Sequence, residues 1–291
     1  MARFLAFLSM ALVVVSGLTS CIGGMPVNFR PKLSTQEMIQ HEGHTTVALV
    51  YQKEDNDSED SETHPICTGV WVDATHILSA HHCTRHLLQV AQEKQDAKEK
   101  AHQLEIDNCS GLAAVLGVCD PDEVIVHKII RMEGLPVHYI VWNEVDGIGK
   151  DPTGDHLSKV VGWDGSHDLT LLEAQGRAIP THPVAELAPA TPELGEKLYF
   201  CGHVRGYYWT FVEGTVAGYH QDLPGSPVHG PFMQVDASIN HGHSGGGAFN
   251  EYGQLVGIAD LITRVPNMAM YIHLDTLRTF LVAQKVLVNK S

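Results

Sequence analysis

Short runs of apolar and β-branched residues recur along most of the chain, and Pro, Gly and Asp separate most of them. Runs of roughly four to eight such residues between turn residues are typical of β-strands. They lie at Val47–Tyr51, Val70–Val72, Ile77–Ser79, Val124–Ile130, Val137–Val141, Val160–Trp163, Leu169–Leu172, Leu198–Cys201, Trp209–Val216, Phe232–Val235, Gly247–Phe249, Leu255–Ile262 and Ala269–Ile272. Because no long helices alternate with these strands, the pattern predicts an all-β protein made of antiparallel barrels or sandwiches.

Two segments carry the three- and four-residue spacing of an amphipathic helix instead. Leu87–Ile106 has apolar side chains at these steps with Lys and Glu between them, which predicts a helix on the surface of the body. At the other end of the chain, Asp275 is expected to be the N-cap of a helix that continues through Val286.

The first twenty residues form a separate unit. Arg3 precedes an apolar stretch, Phe4–Leu18, which is too short for a typical membrane-spanning helix and is sized like the core of an export signal. The stretch ends in the letters LTSC at Cys21, which resemble the bacterial lipobox and imply cleavage before a lipid-modified Cys21. An ordinary cleaved signal peptide with a chance cysteine is the alternative.

Residues 1–20 are therefore expected to be a lipoprotein signal peptide, and 21–44 a spacer that leads to a folded part beginning near Thr45. The protein would be tethered by lipid at the bacterial cell envelope. Export to an oxidising compartment permits disulfides, with Cys67–Cys83 and Cys109–Cys119 as the candidate pairs. Cys201 is expected to remain a buried, inert thiol.

The charge of the chain limits its partners. Nineteen Lys and Arg against 34 Asp and Glu give a formal charge of −15, which repels phosphate backbones and anionic lipid headgroups. Nucleic acid is not an expected partner, and contact with a membrane is expected only through the lipid anchor. The acidic run at 54–62 lacks the spacing of an EF-hand and is interpreted as a solvated loop.

The glycine-rich stretch GHSGGG, residues 242–247, carries the strongest chemical signal. Glycines on both sides of Ser244 let the backbone turn sharply, and they would direct the N–H groups of Gly242 and Ser244 at one point. Such an arrangement suits a nucleophilic serine beside an oxyanion hole. A tight hairpin with an incidental serine is the alternative for this stretch taken alone.

A base and an acid for that serine have local candidates. His82 directly precedes Cys83 in ILSAHHC, so a disulfide to Cys67 would fix its position, while His81 and His76 are the competing histidines. Asp168 leads into the strand-like stretch DLTLL and would orient the imidazole of His82. The competing acids are Asp155 and Asp164, of which Asp164 precedes a glycine and is interpreted as a turn residue.

These residues occur in the order His, Asp, Ser, and CTG with SAHHC, HDLTLL and GHSGGG together resemble the motifs of trypsin/chymotrypsin-like serine proteases. The stretch QVDASIN before GHSGGG is most similar to the high-temperature-requirement periplasmic proteases. The resemblance implies two antiparallel six-stranded β-barrels, at 45–180 and 181–291, with an inserted helix in the first and a C-terminal helix. It also implies a serine endopeptidase without a cofactor. In this enzyme His82 is the general base, Asp168 the carboxylate that orients His82, and Ser244 the nucleophile.

The sequence departs from that family in several places. His243 stands where trypsin-like zymogens carry an aspartate that pairs with a newly cut N-terminus, so activation by that salt bridge is not expected. The family's pocket base falls on Ser238, and the wall strand on Ile258 and Ala259, which suits a small or apolar substrate side chain; Asp260 would alter this if it pointed inward. No segment after the second barrel is expected to form a PDZ domain.

Two other classes of function compete with hydrolysis. One is a binding lipoprotein that keeps the trypsin fold without catalysis. The other is a metal site made by His241 and His243 with His81 and His82, although such local pairs only partly supply the ligands that tetrahedral zinc requires. Because the ligand set is incomplete, we expect no metal to be bound and no cofactor to be required.

Overall fold

The structure is a computed structural model that describes residues 30–52, 63–107, 125, 128–141, 156–175, 183–205, 207–263 and 265–287. Its strands are β1 Thr46–Gln52, β2 Thr63–Trp71, β3 His76–Ala80, β4 Pro136–Val141, β5 His156–Asp164, β6 Leu169–Ala174, β7 Lys197–Val204, β8 Tyr207–His220, β9 Phe232–Asp236, β10 Gly247–Asn250, β11 Leu255–Ile262 and β12 Met268–His273. Its helices are α1 Thr35–Thr45, α2 His81–Asp107 and α3 Leu274–Ala283.

The twelve strands form two closed antiparallel barrels, which confirms the expected fold class. The first barrel has the order β1-β2-β3-β6-β5-β4 and the second β10-β11-β12-β9-β8-β7. Closure pairs every strand on both sides and so removes exposed sheet edges. Each barrel has its own apolar interior, centred in the first on Trp71 and Tyr139, whose rings meet edge to face at 5.6 Å, and in the second on Phe200 and Tyr271, with ring centroids 5.1 Å apart.

A third apolar cluster joins the two barrels. It includes Val70 and Leu78 of the first barrel, Phe249 of the second, Met38 of α1 and Leu277 of α3. Since residues of both barrels are buried against one another, the groove along this junction has rigid walls. The two sides of any site in that groove are thereby held at a fixed separation.

Helix α1 lies within the segment for which the sequence predicts a spacer. Ser34 and Glu37 form a capping box at its start, and Met38 is almost completely buried between the barrels. The expectation that folding begins near Thr45 is therefore wrong, because the helix buries Met38, Glu42, Gly43 and Thr45 although its overall apolar pattern is weak.

Helix α2 begins at His81, six residues before the start that the periodicity predicts. The strand predicted at Val124–Ile130 is wrong for its described part, since Lys128–Ile130 has no strand structure. The backbone N–H groups of Lys128 and Ile130 instead donate to the side chains of Glu99 and Gln92 on α2. These hydrogen bonds replace a sheet ladder, which explains why a β-rich composition gives no strand here.

Helix α3 is present where the C-terminal pattern predicts it, but its N-cap is His273 and not Asp275. The Nδ1 atom of His273 accepts a hydrogen bond from the N–H of Asp275, which lies in the first turn. Among the described residues, no helix is both long enough and apolar enough to cross a membrane.

The disulfide Cys67–Cys83 is confirmed, and Cys201 is a buried free thiol, as expected. The bridge joins β2 to the first turn of α2 across a sequence separation of 16 residues. Closing a loop of that size lowers the entropy of the unfolded chain by an amount worth about 3 kcal/mol. Cys21, Cys109 and Cys119 lie outside the described residues.

Candidate active site

The start of helix α2 brings His82 against Asp168, which lies in the turn between β5 and β6. The Oδ2 atom of Asp168 lies 2.6 Å from Nδ1 of His82, and its Oδ1 accepts the backbone N–H of His82 at 2.7 Å. The backbone carbonyl of Asp168 also accepts the N–H of His81 at 2.9 Å. The first N–H groups of a helix have no partner within it, so Asp168 satisfies two of them and fixes the imidazole at the same time.

Asp168 is held as a buried anion. Its side chain is 6% exposed, and its backbone has a φ of 52°, a left-handed conformation that a residue other than glycine rarely adopts. Burial opposes its ionisation, but the hydrogen bond and positive charge of His82 act in the other direction and hold the pKa of Asp168 below its usual value. The positive end of the α2 dipole favours the same anionic state.

Ser244 lies on a turn that residues 240–246 form ahead of β10. Gly242 has a φ of 101° and Gly245 a φ of 82°, so both positions require glycine. The turn is tied to the first barrel by Thr68, whose N–H donates to the carbonyl of Ser244 at 2.8 Å and whose Oγ1 donates to the carbonyl of Gly242 at 2.6 Å. Because Thr68 adjoins Cys67, the disulfide, the base and the serine belong to one connected unit.

The direction of the Gly242 amide follows from its neighbour. The carbonyl of His241 accepts the N–H of Arg205 at 3.2 Å. In a trans peptide the C=O and the next N–H point in opposite directions, so the N–H of Gly242 faces away from Arg205. Among the described residues, neither the N–H of Gly242 nor that of Ser244 has a protein acceptor. Both amides are therefore available to a ligand.

His82, Asp168 and Ser244 line the same open cleft, which has a volume of about 390 Å³. The other residues of its wall are His81, Arg85, Gly165, Pro227, Val228, His241, Asp260 and Leu261. The chain thus brings together the base, acid and nucleophile candidates from positions 76 to 162 residues apart in the sequence. The competing acid Asp164 instead bonds Nδ1 of His167 at 2.7 Å, and the competing base His76 bonds Asp73 at 2.8 Å.

His243 lies on the far side of the turn from the cleft. It is 1% exposed, and neither ring nitrogen has a hydrogen-bond partner among the described residues. Its ring is pressed against Gly202, where an added Cβ would lie 2.4 Å from His243 Cδ2. Burial lowers the pKa of His243 to about 4, and burial together with the charge of His243 lowers that of the fully buried His203 to about 3. Both rings are neutral near pH 7.

The residues expected to form a substrate pocket do not line a common cavity. Ile258 and Ala259 are buried in two different apolar clusters, because β11 has a packed core on each face, so their side chains do not line the cleft. Ser238 is exposed, and its Oγ donates to Oδ1 of Asn267 at 3.0 Å. Asp260 is buried beside Asp168 rather than in a specificity pocket.

The four histidines of the competing metal-site hypothesis are not brought together either, since His243 points into the interior while His241 is exposed. In the part of the chain that the structure describes, two other groups of residues each hold three potential ligand atoms within 4.8 Å of one another. In one, Cys67 and Cys83 are already joined in the disulfide. In the other, His82 and Asp168 bond each other and Asp260 contributes a third, buried carboxyl.

Two residues of the site, Thr68 and Asp260, have contacts that no sequence motif predicts. Thr68 was visible only as part of the CTG motif, and no local signal gives its contact with the serine turn. Asp260 was noted for its place after the wall strand, but its position depends on an irregularity in the β11–β12 pairing between Ala259 and Leu261. Such a bulge turns a side chain away from its regular direction.

The fold is a pair of closed β-barrels, and its cleft holds a bonded histidine and aspartate together with a serine on a glycine-rich turn. This combination defines the chymotrypsin-like class of hydrolase architecture. The chain belongs to the trypsin-like peptidase domain family, which matches residues 67–258. This membership confirms the family to which the motifs point.

Individual relatives agree with this assignment. The chain is 34% identical over 109 residues to a probable periplasmic serine endoprotease, DegP-like, of Pseudomonas savastanoi pv. phaseolicola, a match that covers 37% of this chain and 22% of that relative. The chain therefore matches well under two thirds of that relative's length.

Two solved structures have the same fold. One is a serine endoprotease from Yersinia pestis, with 19% identity, a TM-score of 0.53 and coverage of 87% of this chain and 66% of that one. The other is the HtrA-type protease AlgW in a serine-to-alanine form with a tripeptide, with 16% identity, a TM-score of 0.56 and coverage of 88% and 64%.

Proposed function

We propose that this protein is a serine endopeptidase that cleaves protein or peptide substrates through an acyl-enzyme intermediate. The observation that carries the proposal is the 2.6 Å contact between Nδ1 of His82 and Oδ2 of Asp168 in the cleft that Ser244 also lines. This contact keeps the proton on Nδ1 and leaves Nε2 free to accept one from a serine hydroxyl. Membership of the trypsin-like peptidase domain family supports the same activity.

In the proposed reaction, Oγ of Ser244 attacks the scissile carbonyl while Nε2 of His82 takes the hydroxyl proton. Asp168 stabilises the imidazolium that forms, and His82 then passes the proton to the leaving amine. Water, deprotonated by the same histidine, hydrolyses the resulting ester and frees Ser244. No metal or cofactor takes part in this scheme.

The negative oxygen of each tetrahedral intermediate would be bound by the N–H groups of Gly242 and Ser244. The hydrogen bond from Arg205 to the carbonyl of His241 supports this role, because it holds the intervening peptide with its N–H on the opposite side. Donors fixed in advance cost no reorganisation during the reaction. The hole would thus form without the N-terminal cleavage that an aspartate at position 243 would require.

A fluorophosphonate probe tests the nucleophile. We expect the wild-type protein to be labelled covalently, Ser244→Ala to show no label, and His82→Ala to react at least about 10³-fold more slowly because the serine loses its base. The readout is in-gel fluorescence over time, with intact-protein mass spectrometry to count the adducts. Ser166→Ala is a matched control, since Ser166 is exposed in the turn that carries Asp168.

Labelling that persists in Ser244→Ala, or that is absent from folded wild-type protein, would overturn the proposal. The second result would favour the alternative function, a binding lipoprotein that keeps the trypsin fold without catalysis. Circular dichroism of each variant shows whether a lost signal reflects lost chemistry or lost structure.

The substrate side chain next to the scissile bond is proposed to be small or apolar. The apolar residues Pro227, Val228 and Leu261 of the cleft wall support this proposal, since they would contact an uncharged side chain. The wall that Ile258 and Ala259 were expected to supply has no such role here, since both side chains are buried in the cores.

We further propose that the protein is exported and held at the cell envelope by a lipid on Cys21. The LTSC stretch supports the lipid anchor, and the periplasmic description of the DegP-like relative supports export alone. In a bacterial host fed an alkynyl fatty acid, wild-type protein should be labelled and recovered with membranes, whereas Cys21→Ala should be unlabelled. Cys201→Ala, which removes a buried thiol, is the control. Equal labelling of the wild type and the Cys21 variant excludes the anchor.

A further inference from the structure

A second buried carboxyl group lies against the aspartate of the site. Asp260 is 5% exposed, and its carboxyl oxygens lie within 4.8 Å of ligand atoms of His82 and Asp168. Neither oxygen meets an N–H or O–H donor of the described residues. The irregularity in β11 lies at this residue and directs it to Asp168. A buried carboxylate without any donor is costly, so the group must be neutral or share a proton.

The surroundings of the two carboxyls decide which one carries the proton. Asp168 accepts two hydrogen bonds from His82 and lies at the positive end of α2, and both favour its anion. Asp260 has no comparable partner. Burial, and then the negative charge of Asp168, raise the pKa of Asp260 to about 9. Two adjacent buried carboxyls cannot both ionise readily, and here their environments separate them.

We propose that Asp260 is a positioning residue that carries a proton at neutral pH and donates it in a hydrogen bond to Asp168. The contact between the two groups then consists of one O–H donor and one carboxylate, and the pair holds a single negative charge. Asp168 keeps both of its bonds to His82 and gains a third donor. The consequence for catalysis rests on the proposed function, whereas the protonation state of Asp260 does not.

The other charged and titratable groups of this cleft come from two elements. They are His81, His82 and Arg85 on α2, and His241 on the turn that precedes Ser244. None of them is changed by a substitution at position 260. Because these groups are present in both proteins, comparing wild type with variant at each pH removes their own proton uptake and leaves the part that depends on residue 260.

The first test measures stability and needs no activity. In the folded protein Asp260 would keep its proton up to about pH 9, whereas in the unfolded chain it releases that proton above about pH 4. The contribution of protonated Asp260 to stability is therefore fully present below about pH 4 and declines as the pH rises toward 9. We expect the unfolding equilibrium constant of wild type, relative to Asp260→Asn, to rise about tenfold per pH unit between roughly pH 5 and 8. Asp236→Asn, at an exposed aspartate, should give a ratio that does not vary in this way.

If the unfolding equilibrium constant of wild type divided by that of Asp260→Asn does not change with pH, Asp260 is ionised in the folded protein and the proposal is overturned. Asp260→Ser, a smaller replacement that also donates a hydrogen bond, serves the same measurement if the asparagine variant does not fold. Because this test reads only proton uptake, its result stands even if the protein proves not to be a peptidase.

The second test separates positioning from mere packing. Asp260→Asn and Asp260→Ser keep a donor to Asp168 and should retain kcat within about threefold, whereas Asp260→Ala should lower kcat about tenfold, the value of one hydrogen bond to a charged group. Wild-type kcat/KM should decline near pH 9 as Asp260 ionises, and that decline should be absent in Asp260→Asn. Identical kcat in the Ala and Asn variants, or an unchanged alkaline limb, would contradict a positioning role.

Discussion

Replacing Asp168 with asparagine should lower kcat by about 10⁴-fold while the protein stays folded. Asparagine has nearly the same shape, and its oxygen can still accept the backbone N–H of His82 that Oδ1 now accepts at 2.7 Å. Its amide nitrogen, however, donates a proton to Nδ1 of His82, which places the ring's own proton on Nε2. A protonated Nε2 cannot accept the proton of Ser244, so the chemical step fails while KM changes little. The rate of peptide hydrolysis that depends on Ser244 measures this effect.

The chain contains a matched control for this substitution. Asp164 also bonds Nδ1 of a histidine, His167, at 2.7 Å, and it too accepts a backbone N–H from that histidine. Asp164→Asn should leave kcat within about threefold of wild type, because the pair is local and separate from the serine turn. A similar loss in both variants, or no loss in Asp168→Asn, would mean that the contact between Asp168 and His82 does not set the tautomer of the base.

Mild acid should destabilise the protein through the two neutral histidines behind the serine turn. Folding lowers the pKa of His243 to about 4 and that of His203 to about 3, from an ordinary value of 6.5. Below about pH 6.5 the unfolded chain binds protons that the folded protein excludes. The contribution of the two neutral histidines to the free energy of unfolding is therefore fully present above that pH and is lost as the pH drops below it. The expected loss by about pH 4 is on the order of several kcal/mol, comparable to the whole stability of many domains.

Urea unfolding at about pH 7.5 and pH 4.5 measures this effect, with His243→Asn compared to wild type. Between the two pH values the free energy of unfolding of His243→Asn should fall by roughly 2 to 3 kcal/mol less than that of wild type, because one buried titrating group has been removed. His229→Asn is the control, since its imidazole side chain is 70% exposed. If all three proteins lose the same stability, carboxyl groups elsewhere account for the acid sensitivity and the two buried histidines do not.

The position of His243 also bears on how the serine turn is held. Where an aspartate would need a charged partner, a neutral histidine fills the space above Gly202 and needs none at neutral pH. The turn is held instead by Thr68 and Arg205, which bond the carbonyls of Gly242 and His241. The Thr68 contact forms when the two barrels pack together, and the Arg205 contact forms when the turn packs beside the end of β7, so the turn depends on tertiary packing.

The sequence by itself determined the strands of both barrels, because each strand is a short run of apolar and β-branched residues bounded by turn residues, and such a run is visible locally. It also placed the disulfide Cys67–Cys83 and located His82, Asp168 and Ser244, since each belongs to a short motif with its own chemical signal. Where local signals competed with distant partners, the sequence was misleading. Lys128–Ile130 bonds to α2 in place of a strand, and Met38 docks a helix where a spacer was expected.

Only the tertiary structure decided how those motifs meet. Helix α2 begins at His81, which turns its first N–H groups toward Asp168, and Thr68 joins the serine turn to the opposite barrel. The bulge at Asp260 and the burial of His243 depend on the same packing. The physical reason is that these hydrogen bonds and pKa shifts arise between residues tens to more than a hundred positions apart, and no local pattern of hydrophobic and polar residues records such contacts.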